Sequence, residues 1–227
     1  MANIAFIPLR GGSKSIPLKN IKDLAGKPLF YWTAEACQDA KCIDKIIIAT
    51  DSIEIKNVAL NCGLSKIEVY DRDEENAQDT SSTESVMLEY LKKSKLKDDD
   101  NFFLVQATSP LLNSNHIEEM FAEFKKSKKD SALSCVVNKH FYWTKDGKAI
   151  NYDYKNRPRR QDFDGYLMEN GACYINSVEN VINNKNRISG EIYMYQMPEY
   201  MGFEIDEPDD WIILEKLMKK YIVKKKF

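Results

Sequence analysis

The apolar run Ile4-Ala5-Phe6-Ile7-Pro8-Leu9 empties at once into Arg10-Gly11-Gly12-Ser13-Lys14-Ser15-Ile16-Pro17-Leu18-Lys19-Asn20. This junction constrains the fold more than any other stretch. A short apolar run without alternation reads as a strand buried on both faces, as a parallel sheet holds it. The two glycines let backbone N–H groups come close to a ligand, and Arg10, Lys14 and Lys19 favour a polyanion. Such a loop after the first strand of an α/β domain is where a nucleotide triphosphate is expected. The spacing fits neither G-x-x-x-x-G-K-[ST] nor G-x-G-x-x-G, which sets aside Walker-type and dinucleotide sites.

Further along, helical and strand-like patterns alternate. Residues 28–40 read as a helix opened by proline, with Leu29, Trp32 and Ala36 on its apolar face. The β-branched run at 45–50 reads as a strand ending in Asp51-Ser52, and 53–62 as a helix stopped by Gly63. A short strand follows at 67–70, then a helix over 80–93 whose start offers Thr80, Ser81, Ser82 and Thr83 as caps before Glu84. Residues 102–107 read as a buried strand, Ser114 as the cap of a helix carrying Ile117, Met120, Phe121 and Phe124, and 133–137 as a strand. Strands at 172–176 and 191–196 and a helix at 208–221 close the chain. This alternation predicts a three-layer, doubly wound α/β domain with a mostly parallel sheet. Ligands of such sheets gather at the carboxyl ends of the strands, so the first loop, Asp51-Ser52, Arg72 and Gln106-Ala107-Thr108-Ser109-Pro110 are expected along one crevice.

From 138 to 170 the pattern breaks into polar and aromatic sequence, with Lys145-Asp146-Gly147-Lys148 as a hairpin-like turn. A long irregular segment inside a domain usually serves function or interaction. The 227 residues suit one domain that includes this segment. A formal net charge of −2 argues against a general nucleic-acid binder. Cys37, Cys42, Cys62, Cys135 and Cys173 are scattered, without a C-x-x-C pair, which points away from zinc or a disulfide framework. No apolar run approaches membrane-spanning length, and Met1-Ala2-Asn3 leads straight into the first strand. The expectation is a cytoplasmic protein with reduced thiols, its Lys224-Lys225-Lys226 tail a solvated helix end.

Three further blocks join the first loop: Gln106-Ala107-Thr108-Ser109-Pro110-Leu111, Arg157-Pro158-Arg159-Arg160-Gln161-Asp162-Phe163-Asp164-Gly165 leading to Glu169-Asn170-Gly171-Ala172-Cys173-Tyr174, and Glu204-Ile205-Asp206-Glu207-Pro208. The combination resembles the acylneuraminate cytidylyltransferases, or CMP-sialic acid synthetases, from about residue 4 to about residue 211. The first loop alone suits sugar nucleotidyltransferases broadly; the R-P-R-R-Q-D-F-D-G block narrows the resemblance to activators of nine-carbon 2-keto sugar acids.

The resemblance implies a fold of the nucleotide-diphospho-sugar transferase type with a protruding dimerisation element at 138–170. It implies transfer of CMP from CTP to the anomeric hydroxyl of a sialic-acid-like sugar, with Mg²⁺ or another divalent cation, in a homodimer with shared active sites. Arg10, Lys14 and Lys19 are the implied catalytic cations, and their charge suits a leaving pyrophosphate. Leu9, Arg10, Gly11, Gly12, Ser13, Lys14, Asn20 and Arg72 are implied around the nucleotide, together with Ser82 or Thr83. Gln106, Arg159, Gln161, Glu169, Asn170 and Tyr174 are implied around the sugar, with Tyr174 equally readable as core and Arg159 as an intersubunit ion-pair partner. Glu204 and Asp206 alternate around Ile205, so on extended backbone they share one face, and hard carboxylate oxygens suit Mg²⁺. The family pattern there is commonly Asp-x-Asp; this chain has Glu first, which leaves Asp206 the safer ligand. Kdn, legionaminic, pseudaminic and other ulosonic acids remain open as the sugar, as does a non-catalytic nucleotide-sugar-binding protein on the same fold.

Overall fold

The computed structural model describes residues 1–13, 15–78 and 80–223. In chain order the elements are β1 (Asn3–Leu9), β2 (Asp23–Leu24), β3 (Lys27–Pro28), α1 (Leu29–Asp39), β4 (Lys45–Thr50), α2 (Ile53–Leu60), β5 (Ile67–Asp71) and α3 (Thr83–Lys93). Then come β6 (Asn101–Val105), α4 (Ser114–Ser127), β7 (Ser131–Asn138), β8 (Tyr166–Ser177), α5 (Val178–Asn184), β9 (Ile192–Met197) and α6 (Pro208–Tyr221). Seven strands form one sheet in the order β5-β4-β1-β6-β8-β7-β9, and β2 pairs with β3 in a small hairpin. All pairings in the large sheet are parallel except those of β8, which runs antiparallel to both β6 and β7. The expected α/β architecture, three layers around a mostly parallel sheet, is the observed one.

The apolar runs form central strands because both of their faces are covered. Ala5, Ile7 and Leu9 of β1 join Ile46, Ile48, Phe103 and Val105 under α1, α2, α4 and α6. Ile4 and Phe6 join Ile47, Phe102 and Leu104 under α3 and α5. Phe6, Phe30, Phe102 and Phe103 are each fully buried; burial of such a side chain stabilises the fold by ~1.5–3 kcal/mol.

Several boundaries differ from the sequence reading. Pro28 stands before α1 as its cap rather than inside it. The helix expected from residue 80 begins at Thr83, because the Ser82 hydroxyl accepts from the Ser85 amide and ends the competition among four possible caps. Asn113, not Ser114, caps α4 by accepting from the His116 amide at 3.1 Å. Strand β8 starts at Tyr166, six residues before the expected 172, because Tyr166, Leu167, Met168 and Glu169 pair with the end of β7. The irregular segment therefore spans 139–165, with Asn138 and residues 166–170 inside strands. None of residues 139–165 enters the buried core. That segment packs on itself: Phe141 stacks near Tyr152 and Phe163, Trp143 lies against Tyr152 and Tyr154, and Arg157 sits over the Phe141 ring. The hairpin-like turn is present, with the Thr144 amide donating to the Lys148 carbonyl at 2.8 Å.

Candidate active site

Parallel strands that end at one edge place their following loops side by side. At that edge lies a cavity of about 360 Å³ lined by Pro8, Arg10, Ser13, Lys19, Asn20, Thr83, Gln106, Ala107, Thr108, Glu204 and Asp206. Segments from the first loop, the start of α3, the loop after β6 and the segment before α6 thus converge.

The first loop is held from several sides. The Gly11 amide donates to Asp51 Oδ1 at 3.1 Å. A Cβ at Gly11 would lie 2.8 Å from the Ser52 Cβ, so this contact requires glycine; a Cβ at Gly12 would meet nothing within 4 Å. Asn20 is buried and its Nδ2 donates to the Arg10 carbonyl at 2.9 Å, which closes the loop on itself. Leu18 adopts a left-handed conformation with φ 50° just before Lys19, a turn that costs a non-glycine residue energy and that recurs at functional sites. The Lys19 ammonium donates to the Ile205 carbonyl at 2.8 Å and lies 3.3 Å from Asp206 Oδ1. Ser15 adds a second strap, its hydroxyl donating to Glu207 Oε1 at 3.1 Å. Lys14 lies outside the described residues.

On the far wall, Ile205 is fully buried while Glu204 and Asp206 face outward, as the alternation predicts. The Ile205 amide donates to the Thr108 carbonyl at 3.0 Å, which fixes the wall to the loop after β6. Asp210 accepts from the Asp206 amide at 3.0 Å and the Glu207 amide at 2.8 Å, so this first-turn acid of α6 sets the backbone of the carboxylate segment. Desolvation, and then the charge of Asp206, push the Glu204 carboxyl above its ordinary range. Gly171 has φ +68°, and a Cβ there would lie 2.8 Å from Gln106 Oε1 and 3.2 Å from Glu204 Oε2. Glycine at 171 thereby lets these two side chains stand together.

Among the described residues no group of three His, Cys, Asp or Glu side chains could hold a metal. A pair of carboxylates without further protein ligands nonetheless suits Mg²⁺, which keeps waters and binds substrate phosphates in the remaining positions. Glu204 and Asp206 on one wall fit that requirement.

The structure also sorts the other expected residues. Arg10, Ser13, Lys19, Asn20, Gln106, Glu204 and Asp206 come together. Thr83 lines the cavity, whereas the Ser82 hydroxyl is occupied as the α3 cap. The Leu9 side chain is buried in the core, so any ligand contact from it is through the backbone. The Arg72 side chain is only 4% exposed and its guanidinium lies 4.0 Å from Asp51 Oδ1, beside the loop. Asn170 is turned inward: Ser134 donates to its Oδ1 at 2.7 Å and its Nδ2 donates to the Met201 carbonyl at 3.0 Å, which makes it a support of the sheet rather than a cavity wall. Tyr174 is core, with its hydroxyl donating to the exposed Glu169 and Arg187 over its ring at 5.0 Å. Arg159 and Gln161 sit on the irregular segment, exposed, with Arg159 Nε 2.6 Å from Asp162 Oδ2. Within one chain they do not line the cavity.

Fold and site together define a nucleotidyltransferase-like α/β domain whose triphosphate-type loop faces a carboxylate pair. Residues 4–224 match the cytidylyltransferase family, and the chain belongs to it. It is 36% identical over 225 residues to the N-acylneuraminate cytidylyltransferase of Oncorhynchus mykiss, covering 96% of this chain and 50% of that protein. The chain thus spans about half the length of that relative. It is 30% identical to the CMP-N,N'-diacetyllegionaminic acid synthase of Legionella pneumophila, covering 96% of this chain and 97% of that one. The fold resembles a solved CMP:2-keto-3-deoxy-manno-octonic acid synthetase complexed with CTP, with a TM-score of 0.70, 16% identity, and coverage of 97% and 99% of the two chains.

Proposed function

We propose that this chain transfers CMP from CTP to the anomeric hydroxyl of a nine-carbon 2-keto sugar acid of the sialic acid type. The observation that carries the reading is the convergence of Arg10, Lys19, Asn20, Thr83, Gln106, Glu204 and Asp206 on one cavity from four separate segments. The anomeric oxygen forms a bond to the α-phosphorus, the bond from that phosphorus to the bridging oxygen breaks, and pyrophosphate leaves; the hydroxyl proton is released. Such a displacement depends on positioning and on neutralising the leaving group. Arg10 offers a planar fork to phosphate oxygens and Lys19 a point charge. Lys19 is held from behind by the Ile205 carbonyl, so its ammonium is oriented before substrate arrives. Gly11 and Gly12 supply backbone amides, and Lys14 adds charge from the same loop. Gln106 presents a neutral amide to the sugar, where a further carboxylate would repel it. Glu204 and Asp206 would hold Mg²⁺, which when bound supplies positive charge to the phosphates.

Arg159 and Gln161 fit this reading as residues given to the cavity of a second copy. The exposed apolar surface of the irregular segment, with Trp143 46% and Ile150 62% exposed, suits a homodimer contact. Five free cysteines suit the cytoplasm. Legionaminic, pseudaminic or another ulosonic acid shares the nucleotide half of this chemistry, as the Legionella pneumophila relative illustrates.

The test is pyrophosphate release from CTP with a panel of ulosonic acids, with and without EDTA. The expected result is EDTA-sensitive turnover with one sugar of the panel. CTP binding without turnover on any of them would favour a nucleotide-sugar-binding protein, and turnover with UTP or ATP instead would overturn the base assignment.

A further inference from the structure

Arg72 stands just past β5, and nothing in its own strand orients its guanidinium. One terminal nitrogen donates to the backbone carbonyl of Asn76, and the other lies 4.0 Å from Asp51 Oδ1. Its buried Nε has no hydrogen-bond partner, a donor that a buried site normally satisfies. Asp51 in turn accepts from the Gly11 amide, so the guanidinium adjoins the phosphate-type loop.

The turn that carries the Asn76 carbonyl is closed by its own backbone bond, from the Asn76 amide to the Asp73 carbonyl at 2.9 Å, and is anchored from outside by one side chain. Glu89 on α3 is 8% exposed and accepts from the Tyr70 hydroxyl, from the Asp73 amide at 2.9 Å and from Asn76 Nδ2 at 2.6 Å. Lys93 Nζ stands 3.6 Å from the same carboxylate. One buried anion therefore gathers the end of β5 and the turn over residues 73–76 onto the helix whose first residue, Thr83, lines the cavity. A buried carboxylate with this many donors is rigid, because each lost bond would leave a desolvated group unpaired.

We propose that Glu89 is a positioning residue for nucleotide binding: it fixes the turn that carries the Asn76 carbonyl, which holds the Arg72 guanidinium against Asp51 and so beside the Gly11 loop. The inference rests on the nucleotide reading of the cavity. It concerns a residue that touches no substrate and sits outside every motif of the sequence.

The polarity of the Glu89–Asn76 contact supplies the test. Glu89→Gln turns an amide donor toward Asn76 Nδ2, and Asn76→Asp opposes two carboxylates. Combining the two restores one donor facing one acceptor. Each variant is compared with the unaltered chain by equilibrium CTP binding, steady-state kinetics and thermal melting. Each single change is expected to weaken CTP binding by about tenfold, with kcat at saturating CTP reduced less than threefold. The double variant is expected to recover most of the loss. Asn76→Ala, in a surface turn, tests the same link should Glu89→Gln not fold. CTP binding unchanged in the single variants, or a loss that follows the melting temperature and is not recovered in the double variant, would overturn the positioning role. Absence of CTP binding by the unaltered chain would instead overturn the nucleotide reading on which the role depends.

Discussion

The cavity wall that the first loop forms and the segment over 139–165 are built on opposite principles. Around Arg10, Lys19 and Asp206, backbone and side chains are tied across the sheet edge by hydrogen bonds, and the strands beneath are buried on both faces. The 139–165 segment contributes nothing to the core, stacks its aromatic rings on one another and leaves Tyr142, Trp143 and Tyr154 exposed. A preorganised cradle suits a ligand whose charge must be met at fixed points. A segment with its own aromatic cluster and a free apolar face suits contact with a second protein surface. Under the proposed function this contrast assigns CTP capture to a single chain and sugar recognition through Arg159 and Gln161 to a pair of chains.

The strongest way to break this contrast is Lys19→Ala. Turnover is expected to fall by about 10²–10³-fold, as when a preorganised donor is lost, while CTP affinity falls much less. Equal losses in kcat and in binding would remove its role in the transition state. Asp206→Asn comes next, with the divalent-cation requirement raised by about tenfold or more in a metal titration of turnover; an unchanged titration would remove it as a ligand. Arg159→Ala sharpens the other side. The sugar KM should rise by about tenfold, the scale of one charged hydrogen bond, with CTP binding unaltered; sedimentation should show a dimer, and a fully active monomer would contradict the shared site.

The smallest expected effect is on acid stability. Burial disfavours the Glu89 charge, yet bonds from Tyr70, the Asp73 amide and Asn76 outweigh it and hold the carboxyl below its ordinary value. A depressed native value means that this stabilisation is present above the ordinary glutamate range and is lost as pH falls through the native value. Glu89→Gln should therefore lose stability at neutral pH, and the gap to the unaltered chain should narrow as denaturation profiles are taken below about pH 4.3. A gap independent of pH would contradict the charged state.

Much of this architecture was readable from residue order. The buried strands β1, β4 and β6 were legible because both faces are covered, which leaves no polar position to interrupt the run. The start of β8 was hidden because Tyr166, Leu167 and Glu169 are exposed and gain order only by pairing with β7. Helix α5 has only Val178 and Val181 buried, too few to show a helical period. In the site, Arg10, Lys19, Gln106 and the Glu204–Asp206 pair were legible as motifs. Asp51 and Glu89 were not read as supports, because each acts on groups fixed by the tertiary fold; the Asp51–Gly11 bond joins positions 40 residues apart. Asn170 misled for the converse reason: an amide inside a polar motif is equally the residue that satisfies a buried sheet.

The cradle itself is tested most directly by a crystal structure of the chain with CTP bound. The triphosphate is expected against Arg10 and the Gly11–Gly12 backbone, with Lys19 and Asp206 at its reacting end. Nucleotide bound elsewhere on the molecule, with this cavity left empty, would contradict it.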